Sequence, residues 1–189
     1  LLAEIRAVQN AERYEIVSVF IGGGTPSVLE AGAIASIIEV IREKFAFSAD
    51  TEITIEANPG TVDLEKLKDY RRAGINRLSL GLQSTEPAEL RMLGRIHSYE
   101  EFLQSYRQAR EAGFANINID MMFAIPGQTG EAWREHLHQV AELKPEHISA
   151  YSLIIEEGTP FAERKLNLPD EDTEYQMYED TAAVLAEYG

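Results

Sequence analysis

The sequence predicts an α/β fold in which strands and helices alternate to build a parallel sheet or barrel. Two observations lead there. Short β-rich runs alternate with longer helical patterns along all 189 residues, and they recur at the spacing of βα units. In addition, Gly74 in "RRAGIN" and Gly113 in "AREAGF" fall where a helix needs a left-handed residue before the next strand.

The elements follow in order. Leu1-Leu2-Ala3-Glu4-Ile5-Arg6-Ala7-Val8 is amphipathic and predicts a helix over 1–11. Glu15 to Ile21 reads as a strand and 28–45 as a helix, with the glycine-rich "FIGGGTPS" (Phe20 to Ser27) between them. Glu52 to Glu56 is the next strand, and Thr61 with Asp63 opens a helix over 62–73. Asn76 to Gln83 is a strand, followed by a short helix near 87–93 with Pro87 in its first turn. The capping box Ser98-Tyr99-Glu100-Glu101 starts a helix over 99–112. Asn116 to Phe123 is a strand, Thr129 with Glu131 starts a helix over 130–143, and His147 to Ile154 is the last strand. Glu156-Glu157-Gly158-Thr159-Pro160 and the charged stretch up to Asp172 read as a long connection into a helix over 172–188.

Composition narrows the partners. With 32 acidic against 17 basic residues and a net charge of -15, the chain lacks the clustered Lys and Arg that nucleic acid or an anionic membrane requires. No cysteine is present, which excludes disulfides and thiolate metal sites within these residues. No apolar run is long enough for a membrane span and no secretion signal is visible, so the expected location is cytoplasmic. The chain opens without Met inside a helical pattern and stops just after another, and is expected to be cut from a longer protein.

Strand side chains alternate between two faces. Glu52, Thr54 and Glu56 oppose Ile53 and Ile55; Ser79, Gly81 and Gln83 oppose Leu78, Leu80 and Leu82; Asn116, Asn118 and Asp120 oppose Ile117, Ile119 and Met121. Helices bury the apolar columns, so the polar ones face the other side. Parallel sheets are usually covered on both faces, which favours a wide or open barrel with a polar lumen over a solvated face. Glu56, Gln83 and Asp120 then lie near the carboxyl ends of strands, the edge where ligands bind in α/β folds.

Gly22-Gly23-Gly24-Thr25-Pro26-Ser27 lies at the same edge. A Walker loop would need a Lys followed by Ser or Thr, which is missing, and a dinucleotide fingerprint would need glycine where Ser27 stands. A plain tight turn explains one glycine but hardly three. What remains is close approach of backbone amides to a small ligand's polar end, with Thr25 supplying a hydroxyl.

"GGGTPS", "IEANPGT" (Ile55 to Thr61), "NRLSLGLQS" (Asn76 to Ser84), "LGRIHS" (Leu93 to Ser98), "NINIDMMFAIPGQT" (Asn116 to Thr129) and "HISAYSLIIEEGTPF" (His147 to Phe161) together resemble the radical S-adenosylmethionine family of oxygen-independent coproporphyrinogen III oxidases and their relatives. "LGRIHS" and "SLIIEEGTPF" look closer to the haem chaperone branch than to the oxidase. The resemblance implies a partial (β/α)6 TIM-like barrel over 1–165, incomplete at both ends. Its first strand and CxxxCxxC cluster loop would precede the chain, and 166–189 would form a connection and helix leading to an absent C-terminal domain.

The implied cofactors are S-adenosylmethionine and, in the intact parent, a [4Fe-4S] cluster, with haem added in the chaperone reading. By motif match Gly23, Gly24 and Thr25 would receive the methionine amino group. Glu56, Gln83, Arg95 and Asp120 would contact the methionine and ribose parts, and Ile154 would lie by the adenine. Arg95 suits a carboxylate through its planar fork of donors. Because the chain has no cysteine, the fragment itself is expected to be inactive in radical chemistry.

The implied partners are a porphyrin or haem and, for a carrier, haem-accepting proteins. The parent is expected to pass on haem; the alternatives are oxidative decarboxylation of coproporphyrinogen propionates and, from another class, a dinucleotide-dependent oxidoreductase. Each site residue also has a plainer role, Glu56 as a cap for the turn at Asn58-Pro59-Gly60 and Ile154 as core. His97, alone at a helix start, is expected to be exposed. His136 and His138 are two apart on a helix and do not share a face. Tyr151 is expected to pack with a satisfied hydroxyl.

Overall fold

The computed structural model describes residues 1–159 and 161–189; Pro160, in the expected connection, lies outside the described residues. In chain order the elements are α1 (Leu2–Ala7), β1 (Glu15–Ile21), α2 (Ala31–Lys44), β2 (Ala46–Ala57), α3 (Leu64–Ala73), β3 (Arg77–Gln83), α4 (Pro87–Met92), α5 (Tyr99–Glu111), β4 (Asn116–Phe123), α6 (Gly130–Ala141), β5 (His147–Ser152) and α7 (Glu171–Ala186). The sheet order is β1-β2-β3-β4-β5, so each strand's neighbour in sequence is its neighbour in the sheet. Pairing is parallel from β1 to β2 and from β2 to β3, with Ile55 opposite Leu78 and Glu56 opposite Ser79.

Several boundaries depart from the sequence pattern: α2 starts at Ala31, after a 3-10 turn over Pro26–Val28, and three others bear on the site. The helix expected over 1–11 stops at Ala7; Asn10 takes a left-handed conformation with φ 56° and a short 3-10 turn, Ala11–Arg13, follows. β2 starts at Ala46, six residues ahead of Glu52. Its register against β1 jumps from Ile16 opposite Phe47 to Ser18 opposite Glu52, and the hydroxyl of Thr51 ties the irregularity by donating to Ile16 O at 2.8 Å and Ser48 O at 2.9 Å. β5 stops at Ser152, leaving Ile154 beyond it.

The chain divides into two compact units, Leu1–Gly81 with Glu101–Asn118, and Leu82–Glu100 with Ile119–Gly189. In the first, α2 and α3 cover the apolar column: Ile34, Leu67, Tyr70, Ile55, Leu78 and Leu80 have no exposed surface. Burying each such side chain contributes about 1.5–3 kcal/mol. α3 begins where Asp63 accepts from Lys66 N at 2.9 Å, and ends where Gly74 turns left-handed with φ 97°. The polar column is buried too. Thr54 and Asn118 are inside, and the Asn118 amide donates to Ser79 Oγ at 2.7 Å. A solvated polar face is thus excluded for these positions, while Glu52 at the start of its column is exposed.

In the second unit the core centres on Trp133 of α6. Its ring lies 5.4 Å from that of Phe123, and Nε1 donates to Met177 O at 3.0 Å and to Thr181 Oγ1 at 2.9 Å on α7. A buried indole N–H needs such a partner. Leu137, Val140 and Met177 complete the apolar contact between α6 and α7, and Arg134 pairs with Asp180 at 2.6 Å.

Candidate functional site

In the first unit the three adjacent glycines serve two different needs. A Cβ on Gly22 would sit 2.5 Å from Phe20 Cε1 and 2.9 Å from Glu56 Cδ, whereas Gly23 and Gly24 have open space but φ of 88° and 104°. Gly22 is a matter of room, and its two successors of backbone conformation. The bare backbone lets Glu56, at the carboxyl end of β2, close on the loop: Gly23 N donates to Glu56 Oε2 at 3.1 Å. Glu56 therefore holds the glycine loop and does not cap the turn that follows it.

That turn is bound to the loop by other groups. Asn58 Nδ2 donates to Thr25 Oγ1 at 3.0 Å, Ser27 Oγ lies 2.6 Å from Thr61 Oγ1, and Lys66 Nζ donates to Ser27 O at 2.5 Å. Asn58, Ser27 and Lys66 were not legible as loop anchors, because their partners are more than thirty residues away in sequence. Of the predicted residues in this unit, Gly23 and Glu56 are joined directly, Thr25 is held through Asn58, and Gly24 contributes its backbone conformation.

The second unit carries the other four. Gln83 is the last residue of β3, 3% exposed, with φ 75°, and Tyr151 donates its hydroxyl to Gln83 Oε1 at 2.8 Å. A non-glycine residue held at positive φ is strained by about 1–3 kcal/mol, and such strain concentrates at functional positions. Tyr151 has the satisfied hydroxyl expected of it, yet the residue is 42% exposed, so it is not the packing residue the pattern implied. Arg95, half-buried after α4, follows Gly94 at φ 70°. Asp120 is half-buried on β4, three residues before the strand's end. Ile154 is 73% exposed, so a core role is excluded.

His97 requires a correction. It is buried, with Nε2 3.2 Å from Leu82 O, where a lone histidine at a helix start was expected in solvent.

A polar cluster absent from the sequence reading lies behind Gln83. Glu89 of α4 is buried, and its Oε2 accepts from Ser84 Oγ at 2.6 Å and from Gln128 Nε2 at 2.9 Å. His136 Nε2 lies 3.3 Å from the same oxygen, and His136 Nδ1 lies 2.6 Å from Thr85 Oγ1. The Nε2 approach is not an aligned hydrogen bond, since that nitrogen and Gln128 Oε1 are both buried without a hydrogen-bond partner. Burial drives the Glu89 carboxyl upward, but the His136 and Ser84 contacts, the imidazole charge and Gln128 outweigh it and hold the group below the usual carboxylate range. Among the described residues no three His, Cys, Asp or Glu side chains cluster as a metal would need, and no helix is long and apolar enough to cross a membrane.

Comparison with known proteins identifies the family. The chain is similar over its whole length to the solved coproporphyrinogen III oxidase (HemN) of Escherichia coli, a radical SAM enzyme, with a TM-score of 0.86 and 32% identity, covering 45% of that chain. It is 40% identical over 182 residues to the heme chaperone HemW of Escherichia coli strain K12, covering 96% of this chain and 48% of the relative. It is 38% identical to the mitochondrial radical S-adenosyl methionine domain-containing protein 1 of Danio rerio, covering 92% of this chain and 40% of that protein. The chain thus spans about half the length of the curated relatives it matches. The likeness to HemN bears out the partial TIM-like barrel that the family resemblance implied. Residues 1–140 match the Radical SAM superfamily, which is most of the chain, and the chain therefore belongs to that superfamily.

Proposed function

We propose that this chain is the S-adenosylmethionine-binding core of a haem-handling protein, with transfer of haem as the parent's task. The observation that carries the cofactor reading is the glycine loop fastened to Glu56. A bare Gly22 leaves room for a carboxylate that the Gly23 amide holds in place, an arrangement suited to an ammonium group. Gly23, Gly24, Thr25 and Glu56 would hold the amino end. Gln83, Arg95 and Asp120 would serve the carboxylate and ribose, and Ile154, exposed and apolar, would lie against the adenine. The chemistry supplied by the bound cofactor is that of its sulfonium group.

The residues present do not fit a [4Fe-4S] cluster. Such clusters are held by cysteine thiolates, and this chain has no cysteine; no step through a cluster is assigned to it. The haem reading is supported by the identity to relatives named heme chaperones. A second reading, oxidative decarboxylation of a porphyrinogen, is favoured by the 32% identity to HemN. In either case the small-molecule partner is a tetrapyrrole, and haem-accepting proteins belong to the first reading alone.

Calorimetric titration of the chain with S-adenosylmethionine and with NAD tests the cofactor. Heat from the first and none from the second is expected; the reverse would point to a dinucleotide oxidoreductase. Haem binding and propionate loss, measured anaerobically on the intact protein, separate carrier from oxidase.

A further inference from the structure

Four consecutive residues at the end of β3 are each fastened by a different side chain. Leu82 O faces His97 Nε2, Gln83 Oε1 accepts from Tyr151, Ser84 Oγ donates to Glu89, and Thr85 Oγ1 meets His136 Nδ1. The second of them, Gln83, has φ 75°, a conformation that persists only where its surroundings over-determine it. The two bonds immediately after it converge on one buried pair, since His136 on α6 and Glu89 on α4 also approach each other at 3.3 Å. Ser84 and Thr85 cannot relax toward an extended path without abandoning Glu89 and His136 as orphaned polar groups inside the protein.

We propose that Glu89 and His136 are positioning residues that, through Ser84 and Thr85, hold Gln83 in its left-handed conformation and so present its amide to S-adenosylmethionine. The inference rests on the reading of Gln83 as a cofactor contact. It assigns to α4 and α6 a task for the site that neither performs by contact. The clamp works through hydrogen bonds, so a neutral acceptor in place of the Glu89 carboxylate preserves it.

The test uses the full chain with Glu89→Leu, Glu89→Gln, Thr85→Val and Gln83→Ala. The carbon chemical shifts of Gln83 report its backbone conformation without ligand, and calorimetry with S-adenosylmethionine reports affinity. Glu89→Leu and Thr85→Val are expected to move the Gln83 shifts toward extended values and to weaken binding by on the order of tenfold, while Glu89→Gln stays near wild type in both. Thr85→Val, nearly isosteric, keeps the test available where Glu89→Leu does not fold. Gln83 shifts and affinity unchanged in a folded Glu89→Leu or Thr85→Val protein would overturn the proposal, whatever happened to the melting temperature. Gln83→Ala binding like wild type would instead remove the cofactor role of Gln83, and with it the proposal's second half, while the shift data judge the clamp by itself.

Discussion

Replacing Gly22 by alanine separates the loop's need for room from its need for conformation. The new methyl would lie 2.5 Å from Phe20 Cε1 and 2.9 Å from the Glu56 carboxylate. Phe20 is 60% exposed and its ring can swing outward. The Glu56 carboxylate, at the end of a flexible side chain, must also give way, and its bond from Gly23 N is lost. A half-exposed, charge-assisted hydrogen bond of this kind contributes about 1 kcal/mol, so Gly22→Ala should destabilise by about that amount. Gly23→Ala meets no atom within 4 Å but must adopt φ 88°, which costs about 1–2 kcal/mol for a residue with a Cβ. In urea unfolding followed by circular dichroism, Gly23→Ala should therefore be the less stable variant. Calorimetry with S-adenosylmethionine should reverse the order: displacing Glu56 removes a charged partner of the ligand and weakens binding by roughly 10- to 100-fold. Affinity of Gly22→Ala within twofold of wild type would refute the assignment of Glu56 to the ligand's ammonium group.

Other expectations follow from buried groups. The Tyr70 hydroxyl is buried without a hydrogen-bond partner, and burial followed by the Glu30 charge pushes its pKa up to about 12. Its contribution is complete below the unfolded value near 10 and falls away as pH rises toward 12, a loss of about 3 kcal/mol; Tyr70→Phe should be as stable as wild type at pH 7 and lose less stability in alkaline urea titrations. Glu89 runs the opposite way: its depressed pKa gives stability that is present above the ordinary carboxylate range and disappears as pH falls through the folded value. Glu89→Gln should flatten that acid limb in thermal melts between pH 7 and pH 3. Trp133→Phe removes the donor to Met177 O and Thr181 Oγ1 and should cost about 1–3 kcal/mol, read as a lower urea midpoint with α7 loosened in hydrogen exchange.

Periodicity and turn chemistry located every strand and each helix of ten residues or more, because those signals are local. Asp63, Gly74 and Thr129 act in the structure as helix boundary residues, as their types predict. The misses share a cause. The early start of β2 was hidden because Ala46, Ser48 and Asp50 have little strand propensity, and pairing of Ala46 with Glu15 and of Phe47 with Ile16 extends the strand there. His97 went inside because of a carbonyl fifteen residues earlier in the chain, and Glu89 with His136 meet across 47 positions, a separation at which no pattern signals contact. The glycine loop was legible as something requiring bare backbone, but which glycine needs room and which needs positive φ depends on where Glu56 and Phe20 stand.

At one limit of the sheet order, β1 shows Val17 at 65% and Phe20 at 60% exposure. Amide and carbonyl groups along a terminal strand, flanked by greasy side chains, form a template onto which a foreign chain can zip. Any strand that pairs along β1 should be disfavoured by a single lysine at position 17.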